Sequence, residues 1–333
     1  MTSRRWGTGA ALAVAALAFA APAIAQVRLG DQRAGTTSGQ FLKIGVGARA
    51  EGLGEAFVAV ANDPSAIYWN PAGLASMQRE ELAFSHVGWP GDINYEHLTW
   101  VLPSRRAGGS FGFQVGVLST NMDETTELQP FGTGRSFSYY DLVAGLDYAR
   151  RWTDKLLVGA GVKYVREDLG TDVGGPSTNS MLFDVGSIFY LGYGSVRIAT
   201  SLTNFGASLK PSGDYVSPYT GEVRSYDGFD PPIMFRYGLA FEPIENQQQR
   251  LTTAIDFNQP ADNSLRSMVG LEWQWEKTFA LRAGYNINAD LLKLSAGAGF
   301  FAKIGGTQST IDYSYTDGGS LGGVNRLSLG LSF

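Results

Sequence analysis

Tyr139-Tyr140-Asp141-Leu142-Val143-Ala144-Gly145-Leu146-Asp147-Tyr148 decides the fold class of this chain. Every second residue (Tyr140, Leu142, Ala144, Leu146, Tyr148) is apolar, with a tyrosine at each end, and the intervening set carries both carboxylates. Successive side chains of a strand point to opposite faces. One face of this strand therefore suits hydrocarbon and the other a polar lumen, with aromatics at the two interfaces, as in a transmembrane β-barrel. A soluble sandwich also alternates, but its polar face meets water and carries more charge.

The same period of two recurs on either side. Leu156, Val158, Ala160, Val162 and Tyr164 oppose Lys155, Gly159, Gly161 and Lys163, and Leu292, Leu294, Ala296, Ala298 and Phe300 oppose Lys293, Ser295, Gly297 and Gly299. From Glu81 onward the pattern predicts strands at 81–89, 93–103, 110–118, 136–151, 155–167, 180–191, 195–206, 231–243, 250–258, 266–276, 278–288, 291–303, 306–316 and 323–333. That is about 14 strands, an even number, as single-chain bacterial barrels have. Connections after the even strands are brief, and those covering 119–135, 168–179 and 207–230 are long, which matches periplasmic turns and external loops. The brief connection Pro90–Asp92 departs from this rule. The fold class expected is an all-β, antiparallel transmembrane barrel.

Composition agrees. Glycine takes 43 of 333 places, aromatics reach 12%, and charged residues only 17%, against about 7% glycine and 25% charge in soluble domains. No apolar run after the first 25 residues approaches the length of a membrane helix. At the amino end, Arg4 and Arg5, the apolar run Ala10–Ala21 and the small residues Ala23-Ile24-Ala25 read as a secretory signal peptide cleaved before Gln26. Removing it takes the formal charge from −5 to −7, so no nucleic-acid footprint is expected. Cysteine is absent, which excludes disulfides, thiolate catalysis and thiolate metal sites. The two histidines, His86 and His97, are too few for a histidine-rich metal centre. Ser85 and His86 are adjacent in one strand and face opposite ways, and His97 has no evident partner, so no catalytic site, cofactor or metal is expected.

The last strand places Leu327, Leu329, Leu331 and Phe333 on one face and ends on an aromatic. Such a closing strand resembles the signal read by the barrel assembly machinery.

Residues 26–80 do not alternate. They contain Gly47-Ala48-Arg49-Ala50-Glu51-Gly52-Leu53-Gly54-Glu55-Ala56-Phe57-Val58-Ala59-Val60-Ala61, then Asn62-Asp63-Pro64-Ser65-Ala66-Ile67-Tyr68-Trp69-Asn70-Pro71-Ala72-Gly73-Leu74-Ala75. The glycines permit close backbone approach; Asp63 before Pro64 and Asn70-Pro71-Ala72-Gly73 are cap and turn chemistry. The stretch lacks the Gly-Lys-Ser/Thr ending of a phosphate loop. These two stretches resemble the PorV/PorQ family of outer-membrane proteins, relatives of the FadL-type channels for hydrophobic compounds. The resemblance implies a short-helical plug over 26–80, lying in or across the periplasmic end of a barrel over 81–333. Arg49, Glu51 and Glu55 are then candidates to pair with Asp141, Asp147, Lys163 or Arg236 of the lumen wall.

The family implies an accessory of type IX secretion in the outer membrane; the alternation of short turns and long loops places both mature termini in the periplasm. Its partners would be outer-membrane lipid, secreted cargo bearing a C-terminal signal domain, and a sortase-like protein. Phe131, Tyr215, Tyr219, Tyr226 and Phe229 in the long loops are candidate contacts for such partners. The alternative is a FadL-like channel for hydrophobic small molecules.

Overall fold

The computed structural model describes residues 30–217 and 219–333; the expected signal peptide at 1–25 lies outside them. Fourteen long strands form the wall. They are β1 (Glu81–Trp89), β2 (Ile93–Ser104), β3 (Gly109–Asp123), β4 (Ser136–Arg151), β5 (Leu156–Asp168), β6 (Ser177–Tyr190) and β7 (Arg197–Gly206), followed, after three short strands in a loop, by seven more. The short ones are β8 (Lys210–Pro211), β9 (Asp214–Val216) and β10 (Val223–Ser225). The wall resumes with β11 (Met234–Glu245), β12 (Gln249–Pro260), β13 (Arg266–Trp275), β14 (Phe279–Asn286), β15 (Leu294–Ile304), β16 (Thr307–Asp317) and β17 (Gly323–Ser332). Each pairs antiparallel with its chain neighbour, β7 pairs with β11, and β1 pairs with β17, so the sheet closes on itself. Closure leaves no wall strand with an unpaired edge, the condition for strands in hydrocarbon.

The alternation does what it predicted. On β4, Asp141, Val143 and Asp147 are buried inside, while Tyr140 and Leu146 are exposed outside at 36% and 45%. Leu98, Val115, Phe183, Ile198, Leu281 and Ile311 extend this exposed apolar surface around the barrel. A belt of that extent is a lipid-facing surface. On β17, Leu327, Leu329, Leu331 and Phe333 all face outward, and the Phe333 amide donates to Glu80 O at 3.0 Å.

Six short turns lie at one end of the barrel, and the loops 124–135, 169–176 and 207–233 at the other. The exceptional turn at Pro90–Asp92 is real: Trp89 pairs with Ile93, and Gly91 (φ 84°) and Asp92 (φ 58°) take the positive φ that so tight a reversal requires. β3 runs five residues past its expected end, because Ser119–Asp123 pair with Tyr140–Ser136 beyond the apolar belt. Met122 is the one apolar residue among Ser119–Asp123, too few for hydrophobic alternation to reveal the extension.

The lumen is filled by residues 30–80. Phe41, Leu42 and Val46 meet Tyr95, Val143, Val165 and Leu182 toward the long loops, and Leu53, Phe57, Ile67, Trp69 and Leu74 meet Val101, Leu157 and Ile188 below. The plug therefore runs the height of the lumen and is not confined to its short-turn end. Its described beginning lies at the long-loop end, where Arg33 meets Asp230 at 3.2 Å and the Ser38 amide donates to Asp230 O at 3.0 Å. That is the end opposite Phe333; the expected mature start at Gln26 lies outside the described residues.

Candidate functional site

The plug docks backbone-first onto glycines of the wall. Gly270 of β13 and Gly284 of β14 are register partners, and Leu53 and Gly54 lie directly on them. Gly52 lies against Gly297 of β15. Across the lumen, Gly159 of β5 and Gly186 of β6 are also partners, and Asn70 and Pro71 occupy the space that side chains there would fill. A methyl group at Gly159, Gly186, Gly270 or Gly284 would overlap the plug and one at Gly297 would crowd it, so the alternation of glycine and bulk on these strands is a footprint of the segment they hold.

Polar anchors complete the docking. Gly47 (φ 91°) turns the chain into the one-turn helix Ala48–Gly52, and the Ala48 amide donates to Ser328 Oγ at 2.9 Å. Arg49 then donates from Nε and Nη2 to both oxygens of Glu272 at 2.8 Å each, and from Nη1 to Asp63 at 2.9 Å and Asn62 at 2.6 Å. Glu272 also accepts from Arg282 Nε at 2.7 Å, whose Nη1 reaches Asp312 at 2.7 Å. A bidentate, doubly supported guanidinium is the strong form of such a pair. Asp63 caps the next turn, accepting from the Ser65 amide at 2.9 Å and hydroxyl at 2.6 Å.

Trp69 packs edge-on to Phe57 at 6.2 Å and donates from Nε1 to Val46 O at 2.8 Å. Asn70 caps the helical turn Pro71–Ser76 by accepting from the Ala72 amide at 3.2 Å, and its own amide donates to Val58 O at 3.0 Å and Ser187 O at 3.1 Å. Gly73 lies so close to Ala61 O that any side chain there would collide. Arg236 lies over Tyr68 and Trp69, 5.3 and 5.2 Å from the ring centres. At the long-loop end Lys43 donates to both oxygens of Asp262, at 2.5 and 2.6 Å.

The plug thus pairs with charges other than those expected. Arg49 takes Glu272 and Asp63, and Glu51 takes Arg326 at 3.3 Å, whereas Asp141 and Asp147 accept nothing from either. Parity alone places Glu272, Arg282, Asp312 and Arg326 on the lumen face, but which plug residue each meets depends on strand order and the path of the plug. His97 has neighbours after all, with Nε2 3.2 Å from Gln114 Oε1 and Nδ1 3.2 Å from Thr99 Oγ1. His86 points outward to Glu96 at 2.6 Å, so Ser85 and His86 do face opposite ways. Of the loop aromatics, Phe131 and Tyr219 stand fully exposed, Phe229 is half exposed, and the rings of Tyr215 and Tyr226 meet at 5.1 Å, tilted by 33°. Among the described residues no cluster of metal ligands occurs.

Three cavities follow the plug, the lower two beside β16, β17 and β1 and the upper one between Trp89 and Arg326 on one side and β11–β13 on the other. The upper one, about 230 Å³, opens among Lys43, Ile44, Gly45, Glu55, Trp89, Asn258, Leu292, Arg236 and Arg326. Glu55 holds an unfavourable φ of 68° at its edge. A middle one, about 60 Å³, lies between Val46, Gly47 and Arg49 and the wall residues Ser85, His97 and Ser328. The lower one, about 230 Å³, shares Arg49 and Asp63 with the middle and continues past Glu272 and Gln308. Ile44 and Gly45 border the upper cavity while Val46 and Gly47 border the middle one, so this stretch divides them. The Glu51 carboxylate lies against Gly45 and pairs with Arg326 at the same level.

Residues 12–151 match the sequence pattern of a family described as Uncharacterised protein family (UPF0164). A UPF0164 protein of Treponema pallidum (strain Nichols) is 30% identical over 172 residues, 50% of this chain and 43% of that protein. The chain thus matches less than half the length of this curated relative. Among solved structures, the Ralstonia pickettii toluene transporter TbuX aligns over 86% of this chain and 97% of its own, with a TM-score of 0.55 at 13% identity. A Pseudomonas aeruginosa FadL homologue aligns over 85% and 97% (TM-score 0.52, 12% identity). The Pseudomonas putida toluene transporter TodX aligns over 80% and 92% (TM-score 0.50, 14% identity). At such identities the likeness is one of fold: this chain shares the closed antiparallel barrel of these outer-membrane proteins.

Proposed function

We propose that this protein is an outer-membrane channel for small hydrophobic molecules, closed at rest by its plug. The observation that carries this reading is the series of three cavities beside the plug, the upper one divided from the lower two by residues 44–47 and the Glu51–Arg326 pair. A buried ion pair is costly to form and costlier to break on one side only. It suits a closure that moves as a unit and returns. Trp89, Ile44, Met234 and Leu292 give the upper cavity an apolar part beside the guanidinium groups of Arg236, Arg266 and Arg326. The glycines receive the plug and do not line an open pore.

The narrower reading, a PorV/PorQ-type accessory of type IX secretion, has the resemblance of residues 38–75 and the exposed Phe131 and Tyr219 in its favour. Neither concerns the cavities, and we favour transport. The test is uptake of a radiolabelled monoaromatic hydrocarbon by cells without other hydrocarbon channels. Expression of this chain should raise the initial rate several-fold, and substitution of both Glu51→Gln and Arg326→Gln should change it again. A rate equal to that of cells with an empty vector, with folded protein present in the outer membrane, sinks the transport reading.

A further inference from the structure

The short-turn rim is not uniform in charge. On the neighbouring turns after β2 and β4 and at the end of β4, Arg105, Arg106, Arg150, Arg151 and Lys155 are all exposed against a single acid, Asp154, and the next turn, after β6, is uncharged. None of the five forms an ion pair with a carboxylate among the described residues. Arg151 donates instead to the backbone oxygen of Asp154 at 3.2 Å. The three turns form one continuous surface: Tyr148 Oη donates to Ala107 O at 2.6 Å, joining the first two, and Lys155 Nζ reaches Leu191 O at 3.5 Å, joining the second and third. Elsewhere on this rim charges balance, as with Glu276 beside Lys277. Above the same strands the long loops are acidic, with Asp123, Glu124, Glu127 and Asp172 against Arg135.

Depth identifies what meets this patch. The outward side chains at the end of β4 read Leu146, Tyr148, Arg150 and then Trp152 in the turn, passing from the apolar belt through an interfacial aromatic to a cation. The Arg150 guanidinium lies over the Trp152 ring at 5.3 Å, and Trp152 and Tyr193 are 64% and 81% exposed. Amphipathic aromatics and arginines just beyond a hydrocarbon belt lie at headgroup depth, and clustered cations there recognise acidic lipid.

We propose that the rim sector carried by β2–β7 binds acidic phospholipid headgroups of the leaflet at the short-turn end. The proposal rests on the wall spanning a bilayer and is independent of transport. The partner is a phosphodiester lipid with net negative charge, held by several guanidinium groups at once with the tryptophan and tyrosine rings wedged at the glycerol level.

The test uses the full folded barrel in vesicles of equimolar phosphatidylcholine and phosphatidylglycerol. Spin-labelled versions of each lipid report the fraction immobilised by the protein. Phosphatidylglycerol should be selected over phosphatidylcholine by about threefold or more, falling toward parity in high salt. The variant Arg105→Gln, Arg106→Gln, Arg150→Gln and Arg151→Gln should lose that preference, while Lys277→Gln with Lys303→Gln, on the opposite side of the rim, should keep it. If the fourfold variant does not fold, Arg105→Gln with Arg106→Gln alone should roughly halve the preference. No selectivity in the wild type, or full selectivity in the folded arginine variants, overturns the proposal.

Discussion

Gly284→Val separates the plug from the barrel that holds it. The glycine lies in a regular strand and its φ is not positive, so the wall gains from the change through the higher β-propensity of valine. The new Cβ would stand 2.5 Å from Gly54 Cα and closer still to the Gly54 amide, whereas ordinary contact begins at 3.4 Å. The plug backbone must therefore retreat by about 1 Å or more, before the two γ-carbons are counted. Overpacking of this kind costs about 1–3 kcal/mol. The retreat is opposed by the bidentate pair of Arg49 with Glu272 on the adjoining strand, so the strain loosens the region from Gly52 to Glu55, which borders the upper cavity. The assay is conductance in planar bilayers, with heat-modifiable mobility on gels as the control for barrel folding. Wild type should be silent or nearly so, and Gly284→Val should show frequent openings. Gly88→Ala, where the nearest neighbours of a Cβ would lie 3.9 Å away, should behave as wild type. Correctly folded Gly284→Val as silent as wild type would refute the docking of Leu53–Gly54 on this floor.

Asn70→Ala removes the groups that satisfy Val58 O, Ser187 O and the Ala72 amide; at about 1–3 kcal/mol for the buried groups left unpaired, it should sensitise cells to large antibiotics without lowering barrel levels. Acid should release the Lys43 clamp. Burial opposes ionisation of Asp262, but the Lys43 ammonium and the hydroxyl of Thr37 outweigh it and hold the carboxyl below its ordinary range. A depressed carboxyl stabilises the folded form above its unfolded value of about 3.9 and loses that contribution as pH falls through the folded value. Amide protection over residues 37–43 should then be flat from neutral pH to about 5 and fall below about 4; Asp262→Asn should show the weakened protection already at neutral pH. Deleting Phe333 removes an outward aromatic and the amide bond to Glu80, and the quantity of heat-resistant barrel in the membrane should drop.

The barrel was legible because its physics is local. Each strand declares itself by alternation, and residues such as Tyr140, Leu142 and Leu146 need no knowledge of their neighbours to be assigned outward. The extension of β3 past Leu118 was not legible, since Met122 is its one apolar residue and a single residue makes no alternation. The plug was legible as a departure from alternation, and Asp63 and Asn70 as caps, because their partners lie two residues away. Its contacts were not: Arg49 and Glu272 are 223 residues apart, and Val58 and Asp256 are 198 apart. Glycines were half legible. Gly52 and Gly54 announce close approach, but only the register that sets Gly270 beside Gly284 shows what they approach.

The central claim is that passage requires the plug stretch from Ile44 to Arg49 to move away from β17 and β1. The chain has no cysteine, so a disulfide between Ala48→Cys and Ser328→Cys, placed where the Ala48 amide meets Ser328 Oγ at 2.9 Å, would lock that contact alone. Hydrocarbon uptake by cells carrying the double variant should be abolished under oxidising conditions and return to the wild-type rate on reduction. Equal uptake in the locked and reduced states, with the disulfide verified by mass, would contradict the account.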